Sequence, residues 1–242
     1  MTDFTLPTEI IDLPSQGKLY PEGHPLSEGK IEMKYMTAKE EDILSNQTYI
    51  QNGTVIDRLL KSLVVTKVDF NDILIGDKNS IMIAARVLGY GPEYKFATLE
   101  GVQEVDLSKI DNKPLHENLL SATENNFSFD LPTTDNSITF KILTHGDEKK
   151  IERELEGLKK INKDSSPDVS TRLKYIITSV NGDSDPPTIR KFVDQALLAR
   201  DSRALREYIS QIQPDVDLTF SPKGTKYKRT IPISIGFFWP DA

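Results

Sequence analysis

Apolar and polar residues alternate in some parts of the chain and recur at helical spacing in others. Residues 30–36, KIEMKYM, alternate apolar with mostly charged side chains, and this pattern predicts a half-buried strand. Thr37 and Glu40 have the spacing of a capping box, which predicts a helix over about residues 38–47. The pattern therefore predicts a strand that is followed directly by a helix.

Two further helices are predicted in residues 30–90. The first follows Gly53, with Thr54 as its N-cap and apolar residues on one stripe. The second is expected to have Asp77 as its cap, and it is apolar on nearly all sides until Gly89. A helix with that composition is buried, so this region combines a strand with packed helices.

Strand patterns replace helical spacing in residues 91–143. Residues 93–106 predict a hairpin that turns near Gly101. Two period-two segments, 127–131 and 137–143, lie on either side of a proline turn. The middle of the chain is therefore predicted to be β-rich.

Helical spacing returns in residues 144–215. Apolar residues indicate helices over about 151–161 and 169–180. Asp185, followed by two prolines, predicts the start of a third helix, and a short fourth helix follows it. This region is predicted to be helical throughout.

The last region, residues 216–242, alternates in two short segments, which predicts a C-terminal β-hairpin. It ends in GFFWPDA. In a strand, Phe237 and Trp239 share an apolar face whose default use is to cover the protein's own helices, whereas Phe238 lies on the opposite face. We therefore predict that Phe238, with Trp239 beside it, contacts a partner protein.

The first region, residues 1–29, combines frequent proline and glycine with widely spaced apolar side chains. This composition predicts an extended arm with turns. Such an arm has few contacts with its own chain, so we expect it to order on a partner. Its candidate contact residues are Leu13, Leu19 and Tyr20.

These patterns together predict an α+β fold: a mainly helical body of six or seven helices, a middle β-hairpin region and a C-terminal β-hairpin. The 242 residues are 37% apolar, which is enough for a real core. The net charge is −7 with both signs spread along the chain, so the sequence does not favour a nucleic-acid or lipid partner. The absence of cysteine fits a reducing cytoplasm, and neither a signal peptide nor a membrane span is expected.

Patterns that carry catalytic or ligand chemistry are sparse. The three histidines, His24, His116 and His145, are isolated, and no HExxH, phosphate-loop, GxSxG or EF-hand pattern occurs. We therefore predict no catalytic residue, no metal site, no cofactor and no small-molecule substrate.

Two basic clusters are candidates for binding. Arg200, Arg203 and Arg206 recur along one side of a predicted helix, where they could bind partner carboxylates. The alternative is a solvated face with internal pairs such as Arg203 with Glu207. The second cluster, KGTKYKR at residues 223–229, could bind single-stranded nucleic acid by phosphate contact and stacking, although charged hairpin tips also serve solubility.

Six motifs in this order resemble the baseplate hub subunit family of T-even-like contractile-tailed bacteriophages (myoviruses). They extend over nearly the whole chain and read LPSQGKLYPEG, MTAKEEDIL, GTVIDRLLKSLV, ILIGDKNSIMIAARVLGYGPEY, ARDSRALREYI and IPISIGFFWP. The resemblance implies a structural or assembly component of the tail baseplate hub, not an enzyme, whose partners are other hub proteins. It also implies a location in the virion, and in the host cytoplasm during assembly.

Three alternatives remain open at this point. Within the same class, the chain is an assembly chaperone that is absent from the finished virion. Outside it, the chain is a nucleic-acid-binding protein or, less favoured still, a hydrolase. Sequences that resemble this one often carry CxxC pairs in the middle β region and near the last hairpin, which implies zinc ribbons. This chain has no cysteine there, so we predict no zinc and expect ordinary hairpin packing.

Overall fold

The computed structural model describes residues 6–162, 167–222, 225, 227–233 and 235–239. It has the mixed helix and strand architecture that the sequence predicts, with 45% of residues in helices and 20% in strands. The strands form small antiparallel sheets of two or three strands, including hairpins in the middle of the chain and near its C-terminus. The predicted α+β class is confirmed.

The elements before residue 91 are two paired strands followed by helices. They are β1 (Thr8–Asp12), β2 (Lys30–Lys34), α1 (Ala38–Ser45), α2 (Gln47–Gln51), α3 (Val55–Leu63) and α4 (Ile75–Tyr90). The capping box of Thr37 and Glu40 is present at the start of α1, as predicted. Thr54 is at the N-cap position of α3, but its side chain makes no capping hydrogen bond.

The elements after residue 91 alternate between short strands and helices. They are β3 (Glu93–Thr98), β4 (Gly101–Asp106), α5 (Glu117–Leu120), β5 (Phe127–Asp130), β6 (Ser137–Phe140), α6 (His145–Ile161), α7 (Asp168–Ile176), β7 (Ile177–Val180), α8 (Pro186–Gln195), α9 (Ala199–Ile212), β8 (Thr219–Phe220) and β9 (Arg229–Thr230). Asp185 caps α8, because its carboxylate accepts from the amide of Thr188. Buried apolar residues from both halves of the chain join one hydrophobic core.

The predicted helix over residues 169–180 is too long. It ends at Ile176, and the next four residues form β7, which pairs with β6. The hydroxyl of Thr139 in β6 lies 2.7 Å from that of Thr178 and 2.6 Å from that of Ser179. β-Branched residues suit a strand once a partner strand is available, and this long-range pairing overrides the helical spacing.

Asp77 is not a helix cap. Helix α4 begins two residues earlier, and Asp77 lies inside its first turn with no exposed surface. Its carboxylate accepts hydrogen bonds from the Ser15 amide at 2.9 Å, the Ser15 hydroxyl at 2.7 Å and the Tyr20 hydroxyl at 2.7 Å. Tyr20 also accepts from the Leu74 amide at 3.0 Å. Burial is the main cause that raises the pKa of the Asp77 carboxyl.

The expectation of an extended arm with few contacts to its own chain is therefore wrong. Strand β1 pairs with β2, and the turns that follow it reach Asp77 in the core. Leu13, Leu19 and Tyr20, which were expected on a partner surface, are all buried in the protein's own core. The physical reason is that a buried carboxyl needs donors, and this segment supplies them.

Replacing Tyr20 by Phe tests this arrangement. The change removes one hydrogen bond from the buried Asp77 carboxyl and one acceptor from the Leu74 amide, so we expect the free energy of unfolding to fall by about 1–3 kcal/mol. Urea denaturation should show a lower midpoint with an unchanged slope. Tyr227→Phe, at an exposed tyrosine, is the control and should change stability by less than about 0.5 kcal/mol. Equal stability of the two variants would contradict the assignment.

Candidate protein-contact site

The middle hairpin exposes apolar side chains at its tip. Strands β3 and β4 are joined by the two residues Leu99 and Glu100. Phe96 and Gln103, which lie opposite each other, are buried on the inner side. Leu99, in contrast, is 94% exposed and Val102 is 71% exposed. One face of the hairpin is therefore packed against the body, whereas its tip presents bare apolar surface to solvent.

The C-terminal segments pack beside this hairpin. The rings of Phe96 and Phe220 meet edge to face at 5.1 Å between centroids. The Tyr94 hydroxyl donates to the Pro232 carbonyl at 3.1 Å. Arg229 forms an ion pair with Glu100, next to the exposed tip. The two hairpins therefore form one continuous surface without any metal ligand of the cysteine type.

A shallow apolar cavity of about 590 Å³ lies between the two hairpins. Its lining includes Phe96, Leu99, Phe220 and Pro232. Tyr227, two residues before Arg229, is 77% exposed. Leu99 lines this cavity, whereas Val102 and Tyr227 are exposed outside its lining; we call these three residues and the cavity the double-hairpin surface. Contiguous exposed apolar surface often marks a protein contact site or a ligand groove.

The three arginines expected to bind a partner are all exposed on α9. Arg203 is paired with Glu207 at 2.7 Å, as in the alternative reading of the sequence. Arg200 and Arg206 make no ion pair with any residue that the structure describes. The opposite side of α9 is fixed by Asp201, so these two side chains point away from the core and stay candidates for partner carboxylates.

The final aromatic residues are not arranged as a strand. Residues 235–238 form a 3-10 helix, and Phe237 and Phe238 both have 0% exposure. Their rings meet edge to face at 5.3 Å. The predicted exposure of Phe238 is therefore wrong, because a 3-10 turn does not place neighbours on opposite faces as a strand does. Trp239 is half-buried against the core.

Only part of the basic KGTKYKR segment can be placed. Residues 223, 224 and 226 lie outside the described residues, whereas Lys228 and Arg229 are exposed. Arg229 is already paired with Glu100, so one cation of the segment joins the two hairpins. The nucleic-acid hypothesis for this segment stays a prediction.

One polar cluster, formed by Asp57, Lys78, His145 and Lys149, contains residue types that enzymes use. His145 Nε2 lies 2.9 Å from Asp57 Oδ2, and His145 Nδ1 lies 3.0 Å from Lys78 Nζ. An ammonium group only donates, so Nδ1 is the acceptor and Nε2–H donates to Asp57. Lys78 and Lys149 each reach an Asp57 oxygen, at 3.0 and 2.9 Å.

Burial by itself would raise the pKa of Asp57, but His145 and the two lysines hold that pKa well below its ordinary value. Both carboxylate oxygens of Asp57 and both ring nitrogens of His145 have a partner within the cluster, which includes Lys78 and Lys149. The arrangement joins α3, α4 and α6 by ion pairs.

Sequence reasoning missed Leu99 and Val102. The signal was present, because a two-residue hairpin loop favours Asn, Asp or Gly, and an exposed leucine there has no local structural purpose.

Within the described ranges, no group of three or more histidine and acidic side chains is placed to hold a metal ion. No helix in that part of the chain is both long and apolar enough to span a membrane.

Comparison of the chain with protein-family models, with curated proteins and with solved structures finds no match in any of the three.

The burial of Phe238 gives a first prediction for this region. Phe238→Ala should lower the free energy of unfolding by about 3–5 kcal/mol, because it leaves a cavity among packed aromatic rings. Thermal or urea denaturation measures this loss. Leu99→Ala, at the exposed tip, should change stability by less than about 0.5 kcal/mol. A Phe238→Ala protein as stable as the Leu99→Ala protein would show that Phe238 is exposed after all.

The ion pair between Glu154 and Arg190 gives a prediction about pH. Two hydrogen bonds of 2.8 and 2.9 Å join these side chains, and Arg190 is the main cause that lowers the pKa of Glu154 to about 2 from an ordinary 4.5. Because the pKa of Glu154 is lower in the folded protein, the pair stabilises the fold at pH values above the ordinary pKa of 4.5. That stabilisation is lost as the pH falls toward 2. The pair is partly exposed, so its contribution is about 1 kcal/mol.

We therefore expect the free energy of unfolding of wild type to fall by about 1 kcal/mol more than that of Glu154→Gln between pH 4.5 and pH 2, as measured by denaturation at a series of pH values. Glu156→Gln, at an exposed neighbour, should lose stability in parallel with wild type. If Glu154→Gln also runs parallel to wild type, the pair does not stabilise the fold.

Proposed function

We propose that this protein is a structural or assembly component of a contractile-tailed phage baseplate hub, and that it acts by protein–protein contact and not by catalysis. The phage assignment rests on the sequence resemblance of the six ordered motifs. The mode of action rests on one structural observation, which is the exposed apolar tip of Leu99 and Val102 beside the open cavity of the double-hairpin surface.

The energetics of this surface support binding to another protein. Burying an exposed leucine or valine contributes roughly 1.5–3 kcal/mol, so burial of the two tip residues contributes roughly 3–6 kcal/mol before the costs of association. The anchored hairpin strands also limit the entropy lost on binding, since Phe96 and Tyr94 already hold the hairpin against the body.

The interior polar groups also support a scaffold role. Asp57, Asp77 and Asp201 each receive donors from residues distant in the sequence. Their hydrogen-bonding capacity is used to hold elements together. A rigid body with a bare apolar rim is what a subunit of a larger assembly requires.

The test is made in the phage that carries the gene. Complementation with Leu99→Ser/Val102→Ser should give a folded protein that is missing from purified tails by mass spectrometry, with few or no infectious particles. Ile10→Ser/Leu120→Ser removes two exposed apolar residues elsewhere and is the matched control, which should assemble normally. Normal tails with the tip variant would rule out the double-hairpin surface as the contact.

The same experiment separates the alternatives. If wild-type protein is needed for tails but missing from finished particles, the chain is an assembly chaperone. If tails form normally without the gene, the baseplate assignment is wrong. Strongly salt-dependent binding to single-stranded DNA or RNA that disappears when Lys226, Lys228 and Arg229 are neutralised would instead support a nucleic-acid partner.

A further inference from the structure

A second cavity, of about 630 Å³, lies on a different part of the molecule. The turn segment after β1, the entry to α4, the link between α5 and β5, and Thr144 at the start of α6 supply its walls. The apolar part of its lining consists of Leu19, Tyr20, Pro21 and Leu74, of which Pro21 is exposed and the other three are buried. The cavity is therefore large enough for a side chain and its neighbours from another molecule.

The walls of this cavity are held in place by hydrogen bonds. Tyr20 is fixed between Asp77 and the Leu74 amide. Asn125 uses its side-chain amide both to donate to the Ile142 carbonyl and to accept from the Ile142 amide, each at 2.8 Å. A site whose walls are already ordered binds a ligand with little further loss of entropy.

The charged residues of the lining are all acidic. Glu22, Asp72 and Glu124 line the cavity, and the described lining residues include no lysine or arginine. Glu22 and Glu124 form no ion pair with described residues. Asp72 has only His24 nearby, at 3.7 Å from Nε2 to Oδ2. Two of the three carboxylates around the cavity therefore have no ion-pair partner among the described residues, and the third has only the imidazole of His24.

Two stacked rings complete the site. The rings of Tyr20 and His24 lie parallel, with 4.8 Å between their centroids. His24 Nδ1 accepts from the Leu26 amide at 3.2 Å, which fixes the ring. A long cationic side chain can place its methylene groups on such apolar surface while its charged end reaches carboxylates at the rim.

We propose that this cavity binds an arginine side chain presented by an apolar segment of a partner protein. The guanidinium group pairs with Glu22, Asp72 and Glu124, and the adjoining apolar residues pack against Pro21 and the ring of His24. Charge complementarity carries this choice, because an anionic or a purely apolar partner would leave the carboxylates unmatched. The inference does not depend on which assembly the protein joins.

The probe is the tripeptide acetyl-Leu-Arg-Leu-amide, titrated to millimolar concentration into the isotope-labelled full-length protein and followed by amide NMR shifts. The amides of Tyr20, His24 and Asn125 should shift. The same peptide with citrulline in place of arginine keeps the shape but not the charge, and it should bind about fivefold or more weakly.

Two variants with the same change in net charge complete the test. Glu22→Gln/Glu124→Gln, at exposed positions of the cavity rim, should weaken binding of the arginine peptide about fivefold. Glu28→Gln/Glu117→Gln neutralises two exposed carboxylates outside the cavity and should leave binding unchanged.

Three results would each overturn the proposal. One is the absence of any shift at the cavity amides, and another is equal binding of the arginine and citrulline peptides. The third is equal weakening by both variant pairs, which would mean that the peptide responds to net charge only. None of these results bears on whether the protein is found in phage tails, so the two proposals fail independently.

Discussion

The structure depends on the buried carboxyl of Asp77. A carboxyl group taken out of water is costly unless donors replace the water it has lost. Here the donors are the amide and hydroxyl of Ser15 and the hydroxyl of Tyr20, all within 2.9 Å. Because Tyr20 also accepts from Leu74, the N-terminal segment is tied to the start of α4 at several atoms. The first turns of the chain are therefore part of the core.

Other buried acidic residues also join separate elements of the fold by accepting hydrogen bonds. Asp201 accepts from Thr133 and Thr134, which fixes α9 to the turn between β5 and β6. Buried Glu40 accepts from Ser62 and Lys34, which joins α1 to α3 and β2. These contacts are directional, so they set the relative positions of elements whose apolar packing alone would be less specific. The surface of the described residues includes the apolar double hairpin, the arginine face of α9 and the acidic-rimmed cavity.

Local features of the fold were readable from the sequence, and long-range ones were not. The strand at residues 30–36, the capping box at Thr37 and the hairpin near Gly101 depend on residues within a few positions of each other. The role of Asp77 depends on Ser15, which is 62 positions away in the chain. The sequence alone does not distinguish a buried aspartate of this kind from a helix-capping aspartate. The strand after Ile176 likewise required β6 to be in place.

The same limit applies to the candidate site. Exposure of the arginines on α9 follows from local spacing, whereas burial of Phe238 depends on how the chain turns back into the core. Apolar residues look alike in a sequence whether they pack inward or outward, and only the fold separates Leu99 from Leu19. The proposed function accordingly moves the contact surface from the N-terminal segment to the hairpin tips.

Hydrogen exchange of the free protein measures most directly whether the N-terminal segment is part of the core. The account predicts that the Ser15 and Leu74 amides, which bond to Asp77 and Tyr20, exchange only by global unfolding, as slowly as the most protected amides of α4. If residues 13–29 instead exchange as fast as an unstructured peptide, the segment is a free arm after all. Its apolar residues would then be available to a partner, and the account would be contradicted.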